Sequence, residues 1–239
     1  MHAMPTLVIG NKLYSSWSMR PWLLMRQLGI AFDEILIPLD RPDTKARVLE
    51  HSPAGKVPIL IDSDVTVWET LAIMEYVGDA YDAQVWPVDL KARAMARSVA
   101  AEMHAGFQGL RSTCPMNLGK KYARRDRGDA VAKDVARFSD IVRQARERFG
   151  QGGPFLFGEF SAADAMYAPL VTRLDTYSIA LDTTTQAYVD AVLALPAFQE
   201  WRNAALTEAW IVDADEVDEE PIEVYRQAAL RQGPGTHES

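Results

Sequence analysis

Three short segments of this 239-residue chain carry side chains whose types and spacing suit chemistry. The first is Ser15-Ser16-Trp17-Ser18, followed by Arg20, in a polar loop that separates an apolar run from a helical pattern. Where a strand hands over to a helix, backbone N–H groups and the positive end of the helix dipole favour a bound anion. A serine there also caps the helix, for ~1 kcal/mol. The second is Lys56-Val57-Pro58. Proline is the one residue whose preceding peptide bond adopts cis at small cost, although a trans proline also opens strands. The third is Glu69-Thr70 at the head of a predicted helix, where an acidic first turn is favourable without any ligand and Thr66 to Glu69 also reads as a capping box.

Other reactive residues form no pattern. His51 and His104 have no spaced Cys or acidic partners, and His2 and His237 are terminal, so no metal site is expected. Cys114 is the only cysteine, which excludes an intramolecular disulfide and suits a reducing cytoplasm; it reads as a buried thiol rather than a nucleophile. Lys and Arg total 25 against 33 acidic residues, a net charge of -8, which argues against a nucleic-acid or polybasic membrane surface. No uncharged stretch is long enough to span a bilayer, and residues 1–4 open no signal peptide, so a cytoplasmic protein is expected.

The elements that must position these residues read as follows. Thr6–Ile9 is a buried strand, and Trp22–Leu28 recurs at helical spacing and stops at Gly29, with Pro21 fitting only the first turn. Phe32–Ile37 is a second strand and Thr44–Glu50 a short helix. Val57–Ile61 and Val65–Trp68 form a hairpin, and the helix Glu69–Tyr81 follows. The order β-α-β-α-β-β-α implies an α/β layer over residues 1–81, closed by a linker at 82–88 that contains Pro87. Beyond it the spacing is helical throughout residues 89–212: Asp89–Met116, Asp129–Phe149, a helix to Tyr177 opened by Ser161-x-x-Asp164, then Thr184–Leu193 and Pro196–Trp210. Seven acidic residues between Asp213 and Glu223 repel one another, so 213–239 reads as a solvated, flexible tail.

Taken together, the three segments resemble the cytosolic glutathione S-transferases: an α/β thioredoxin-like N-terminal domain followed by an all-α C-terminal domain. The serine segment is similar to that of the zeta-type, maleylacetoacetate isomerase-like class, whose pattern is Ser-Ser-Cys-Ser; Trp17 stands in the cysteine's place. The resemblance implies that glutathione is the cosubstrate and supplies the sulfur, and that Ser15, with Ser16 as its nearest competitor, stabilises the thiolate. It implies that Trp17, Lys56, Val57 and Pro58 bind glutathione, with a cis-proline turn at Val57-Pro58 that exposes the Val57 backbone to the cysteinyl part. Glu69 and Thr70 would hold the γ-glutamyl ammonium and carboxylate, and Gln108, in Ala105-Gly-Phe-Gln-Gly-Leu110, would reach the ligand. His104 and Arg111 would edge the pocket for an electrophilic small molecule.

The same resemblance implies a homodimer, a role in detoxification, and isomerase or dehalogenase chemistry. The isomerase class places a substrate-binding arginine twelve residues beyond the capping-box aspartate, where this chain has Thr176; Arg173 is nearby. A different class of function fits the same features, namely a transferase-like binding or scaffolding module that keeps the fold without turnover.

Overall fold

The computed structural model describes residues 4–226. Strand β1 (Thr6–Ile9) runs parallel to β2 (Asp33–Leu36), joined by helix α1 (Ser16–Gln27), and antiparallel to β3 (Ile59–Asp62). A hairpin adds β4 (Val65–Trp68), giving a four-stranded sheet in the order β2-β1-β3-β4. Side chains alternate across this sheet. Leu7, Ile9 and Leu60 face the main core with α1 and α3 (Thr70–Ala80), while Val8 and Ile59 face Val48 of α2 (Thr44–Leu49) on the other side.

The second domain comprises α4 (Leu90–Ala105), α5 (Gln108–Thr113), α6 (Asp129–Phe149), α7 (Ala162–Thr176), α8 (Thr183–Leu193) and α9 (Pro196–Leu206). Helix α7 is buried almost from end to end, and α1, α4, α5 and α8 pack around it. Among the described residues no helix is long and apolar enough to cross a membrane.

Four expectations are corrected. Helix α1 starts at Ser16, five residues before Pro21, so the proline lies inside it rather than in its first turn. The single helix expected over Asp89–Met116 is broken at Gly106 and Phe107: Phe107 takes a left-handed conformation, φ 60°, and packs edge-on against Tyr167. The last helix ends at Leu206, not Trp210.

The fourth concerns the acidic segment, which over residues 213–226 is anchored through Glu216 and Glu219 while Asp213, Asp218, Glu220 and Glu223 stay exposed. Glu216 accepts hydrogen bonds from Tyr14 Oη at 2.6 Å, Asn117 Nδ2 at 3.1 Å and Lys120 Nζ at 2.6 Å. Glu219 pairs with Arg127 at 2.8 Å and Arg125 at 2.7 Å, and β6 (Glu223–Val224) pairs with β5 (Lys120–Lys121). Repulsion within the acidic run is offset by a basic stretch some ninety residues earlier, which local charge arithmetic does not see. Residues 227–239 lie outside the described residues.

The sequence signature Ser161-x-x-Asp164 forms the capping box that opens α7. Asp164 is fully buried and accepts from Leu156 N–H at 3.0 Å, Ser161 N–H at 2.8 Å, Ser161 Oγ at 2.9 Å and Tyr188 Oη at 3.2 Å. Burial pushes its carboxyl up to about 6, against the pull of those donors. Replacing Asp164 by Ala strands several buried donors and should cost about 2–4 kcal/mol in urea unfolding; a loss below ~0.5 kcal/mol would show that the box is dispensable. Because the folded carboxyl holds its proton to a higher pH than the unfolded one, wild-type stability from this group falls as pH rises from about 4 to 6. The deficit of Asp164→Asn should therefore narrow over that interval.

Candidate functional site

Helix α1 is enclosed on nearly every side, with Ser18, Met19, Arg20, Pro21, Trp22, Leu23, Leu24 and Met25 all buried. Its interior proline has a local consequence. Pro21 has no N–H to donate to the carbonyl four residues back, Trp17 O, and that freed acceptor takes the Thr70 hydroxyl at 3.2 Å instead. The broken rung of α1 is thus the point at which the first turn of α3 is bonded to the first turn of α1.

Around this junction lies a cavity of about 380 Å³. It is lined by Trp17, Lys56, Val57, Pro58, Glu69, Thr70, His104, Gln108 and Arg111, with Ala54 and Trp68 completing the wall. Nine residues singled out in three sequence segments and two helices therefore converge on one space, whereas Ser15 and Ser16 are not among its lining residues. Ala54 carries no chemical group and Trp68 reads as a strand residue, so neither had a signal in the sequence.

The backbone is specialised at the same place. The Val57–Pro58 peptide is cis. Glu69 sits at the N-cap of α3 with φ 70° and ψ 128°, a conformation that costs a non-glycine residue ~1–3 kcal/mol and is held by its surroundings. Its carboxylate is exposed and lies 3.9 Å from His104 Nε2. The Trp17 ring collects cations: Arg20 at 4.1 Å and Arg111 at 4.9 Å from its centroid, with the His104 ring edge-on at 5.0 Å. Among the described residues Glu69 is the only carboxylate in the wall, against Lys56 and Arg111, so the cavity as a whole suits a ligand that carries more negative than positive charge.

The chain matches the family models of the glutathione S-transferase N-terminal domain over residues 14–80 and of the C-terminal domain over residues 128–204, which together span more than half of it. The chain belongs to the glutathione S-transferase family. Among curated relatives it is 27% identical over 170 residues to "Glutathione S-transferase L2, chloroplastic" of Arabidopsis thaliana, a match that covers 69% of this chain and only 53% of that protein. It is 22% identical over 201 residues to "Probable maleylacetoacetate isomerase" of Caenorhabditis elegans, covering 78% of this chain and 90% of the relative. Among solved structures, a glutathione transferase homolog from Burkholderia with bound glutathione superposes with a TM-score of 0.64 at 21% identity, over 85% of this chain and 98% of that one. Fold and family are those of the transferases.

In this chain Ser15 is the N-cap of α1 and is 6% exposed. Its hydroxyl forms a 2.7 Å hydrogen bond with Ser18 Oγ, which also accepts the Gly10 N–H at 3.0 Å. Ser16, half-buried, is the first helical residue. Cys114 is buried, and burial pushes its thiol up to about 11, so it is no nucleophile near neutral pH.

The loop that leads to Ser15 is clamped from the helical domain. Glu208 accepts from the backbone N–H groups of Lys12 at 2.7 Å and Leu13 at 3.2 Å, and Trp201 Nε1 donates to Lys12 O at 2.9 Å. Burial raises the Glu208 carboxyl above its ordinary range, while the two amides and Lys12 pull it back. Three variants check these ties by urea unfolding. Thr70→Val should lose about 1–2 kcal/mol by leaving Trp17 O unpaired, with Thr70→Ser restoring it. Glu208→Ala should lose about 2–4 kcal/mol because two buried amides lose a charged acceptor. Wild-type stability in Thr70→Val and Glu208→Ala would show that neither tie holds the junction.

Proposed function

We propose that this protein activates the thiol of glutathione for attack on an electrophilic small molecule. The observation that supports it most is the convergence, on one cavity, of the α1 junction, the cis Val57–Pro58 segment and the α3 N-terminus. An extended tripeptide fits that arrangement: Val57 would pair with the cysteinyl backbone, the Thr70 N–H and the other first amides of α3 would receive the γ-glutamyl carboxylate, and Glu69 its ammonium. Gln108 and Lys56 would close on the ligand from either side.

The thiol would then lie toward the N-terminus of α1, where the helix dipole favours the thiolate. Ser15 is the proposed donor, with Ser16 the alternative. Hydroxyl hydrogens rotate about the C–O bond, so the Ser15–Ser18 pair can run in either direction. With Ser18 donating, the Ser15 proton becomes available to a sulfur anion, and Ser18 acts as the residue that sets its direction. His104 and Arg111 would face the electrophile.

Zeta-like isomerase or dehalogenase chemistry is the finer form of this proposal. The relative named as a probable maleylacetoacetate isomerase supports it. Against it, Thr176 stands at the arginine position of that class and is buried, its hydroxyl donating to Asn117 O at 3.1 Å. We further propose a cytoplasmic homodimer, in keeping with the two-fold pairing usual for soluble oligomers, with detoxification as its broad role. A non-catalytic scaffold is the second reading, favoured by the burial of Ser15 and by the indole of Trp17 beside it.

Turnover of a glutathione-conjugation substrate decides between them. Ser15→Ala should lower the rate ~10 to 100-fold while glutathione affinity changes little, since one charge-assisted hydrogen bond is lost. The bound thiol's pKa, followed by ultraviolet thiolate absorbance, should rise in the variant. Loss in Ser16→Ala instead would transfer the role by one residue. Glutathione binding without turnover in the wild type, or no saturable glutathione binding at all, would overturn the conjugation reading and leave the scaffold reading in its place.

A further inference from the structure

Beneath the cavity lies a group of charges that the proposed chemistry leaves unused. Arg20 is fully buried; its Nε donates to Met166 O at 3.0 Å, while Nη1 and Nη2 have no partner among the described residues. Arg173 is buried as well, donating to Cys114 O and Pro169 O at 2.9 Å each. Arg111, in the cavity wall, reaches only the carbonyls of His104 and Gly106, both at 3.5 Å, the outer limit for a hydrogen bond.

None of the three guanidinium groups has an ion pair within 4.0 Å among the described residues. They nevertheless repel one another: Arg20 is held well below its ordinary range by burial first, then by Arg173 and Arg111, and Arg173 is lowered to about 10 by burial and Arg111. The carboxylate that acts on Arg173 is Asp215, which lies beyond ion-pairing distance and is itself pushed up to about 6 by burial. A buried cation without a partner is costly, and stacking on an indole offsets only part of that cost. Burial also limits the screening of this charge by salt, and Arg20 stacks at 4.1 Å on the Trp17 ring that lines the cavity.

We propose that the Arg111 side of the cavity is a subsite for a carboxylate on the electrophilic cosubstrate. The arginine in the wall takes the carboxylate, and Arg20 behind Trp17 supplies the field that makes the anion preferred over its neutral analogue. This deepens the function proposed above and rests on it. The positive charge comes from α1 and α5, together with Arg173 of α7.

The test uses 3-nitrobenzoate and its methyl ester, titrated into the full-length protein with tryptophan fluorescence as the readout, first alone and then with saturating S-methylglutathione. The acid should bind at least ~10-fold tighter than the ester, as a charge-assisted pair requires. It should do so with the thioether present as well as without it. Arg111→Met should abolish the preference and Arg111→Lys restore part of it. Arg20→Met should also reduce it, yet keep or gain thermal stability, because a desolvated charge gives way to a matched apolar side chain. That combination separates the field from a structural role.

Equal binding of acid and ester would overturn the proposal, as would a preference that survives in Arg111→Met. So would displacement of the acid by S-methylglutathione, which would assign the site to glutathione's own carboxylates. Failure of S-methylglutathione to bind at all would count against the conjugation function instead, and the acid–ester comparison would still decide the subsite.

Discussion

The arrangement depends on the burial of α1 between the sheet and α7. A helix enclosed by the sheet, α3, α7 and α9 cannot shift without disturbing both domains, so the residues at its N-terminus are fixed by the whole molecule. Trp22 and Trp201 meet edge-on at 5.1 Å inside that packing, and Lys12 caps both rings while pairing with Glu34 at 2.6 Å. Burial of such rings is worth several kcal/mol, more than any single polar tie near the site. The site inherits its rigidity from this core, in line with the need to hold reacting groups in place before a ligand arrives.

Enclosure also explains why the site's polar groups are bonded as they are. Pro21 gives up one rung of α1, and in a buried helix the released carbonyl must find another donor. Thr70 provides it, and the loss of a local bond becomes a tie between two segments that both face the cavity. Gly10 N–H, Ser18 and Ser15 form a similar short chain at the helix cap. The strained backbone of Glu69 lies at the other end of the same junction, where α3 would receive the charged end of a ligand. The helical domain reaches across to the loop before Ser15 through Glu208, Trp201 and Glu216. Each domain thus completes the setting of the other's functional residues.

Much of this was legible in the sequence because the signals were local. Strand alternation, the hairpin and the Ser161-x-x-Asp164 box follow from neighbouring residues alone, and three short segments named most of the cavity wall. What escaped was non-local or set by packing. Pro21 reads as a helix start until the buried environment of α1 supplies a second partner for Trp17 O. The acidic run reads as solvated until Lys120, Arg125 and Arg127 are brought against it. The break at Phe107 depends on its contact with Tyr167. The unpaired state of Arg20 has no sequence signature at all, since every arginine looks the same before its neighbours are known.

The central claim is that one cavity receives glutathione with its sulfur at the N-terminus of α1. A crystal structure of the protein soaked with glutathione tests it most directly. The account predicts the tripeptide extended along Val57–Pro58, its γ-glutamyl carboxylate on Thr70, and its sulfur within hydrogen-bond reach of Ser15 Oγ or the first amides of α1. A ligand bound elsewhere, or one in this cavity with its sulfur turned away from α1, would contradict it.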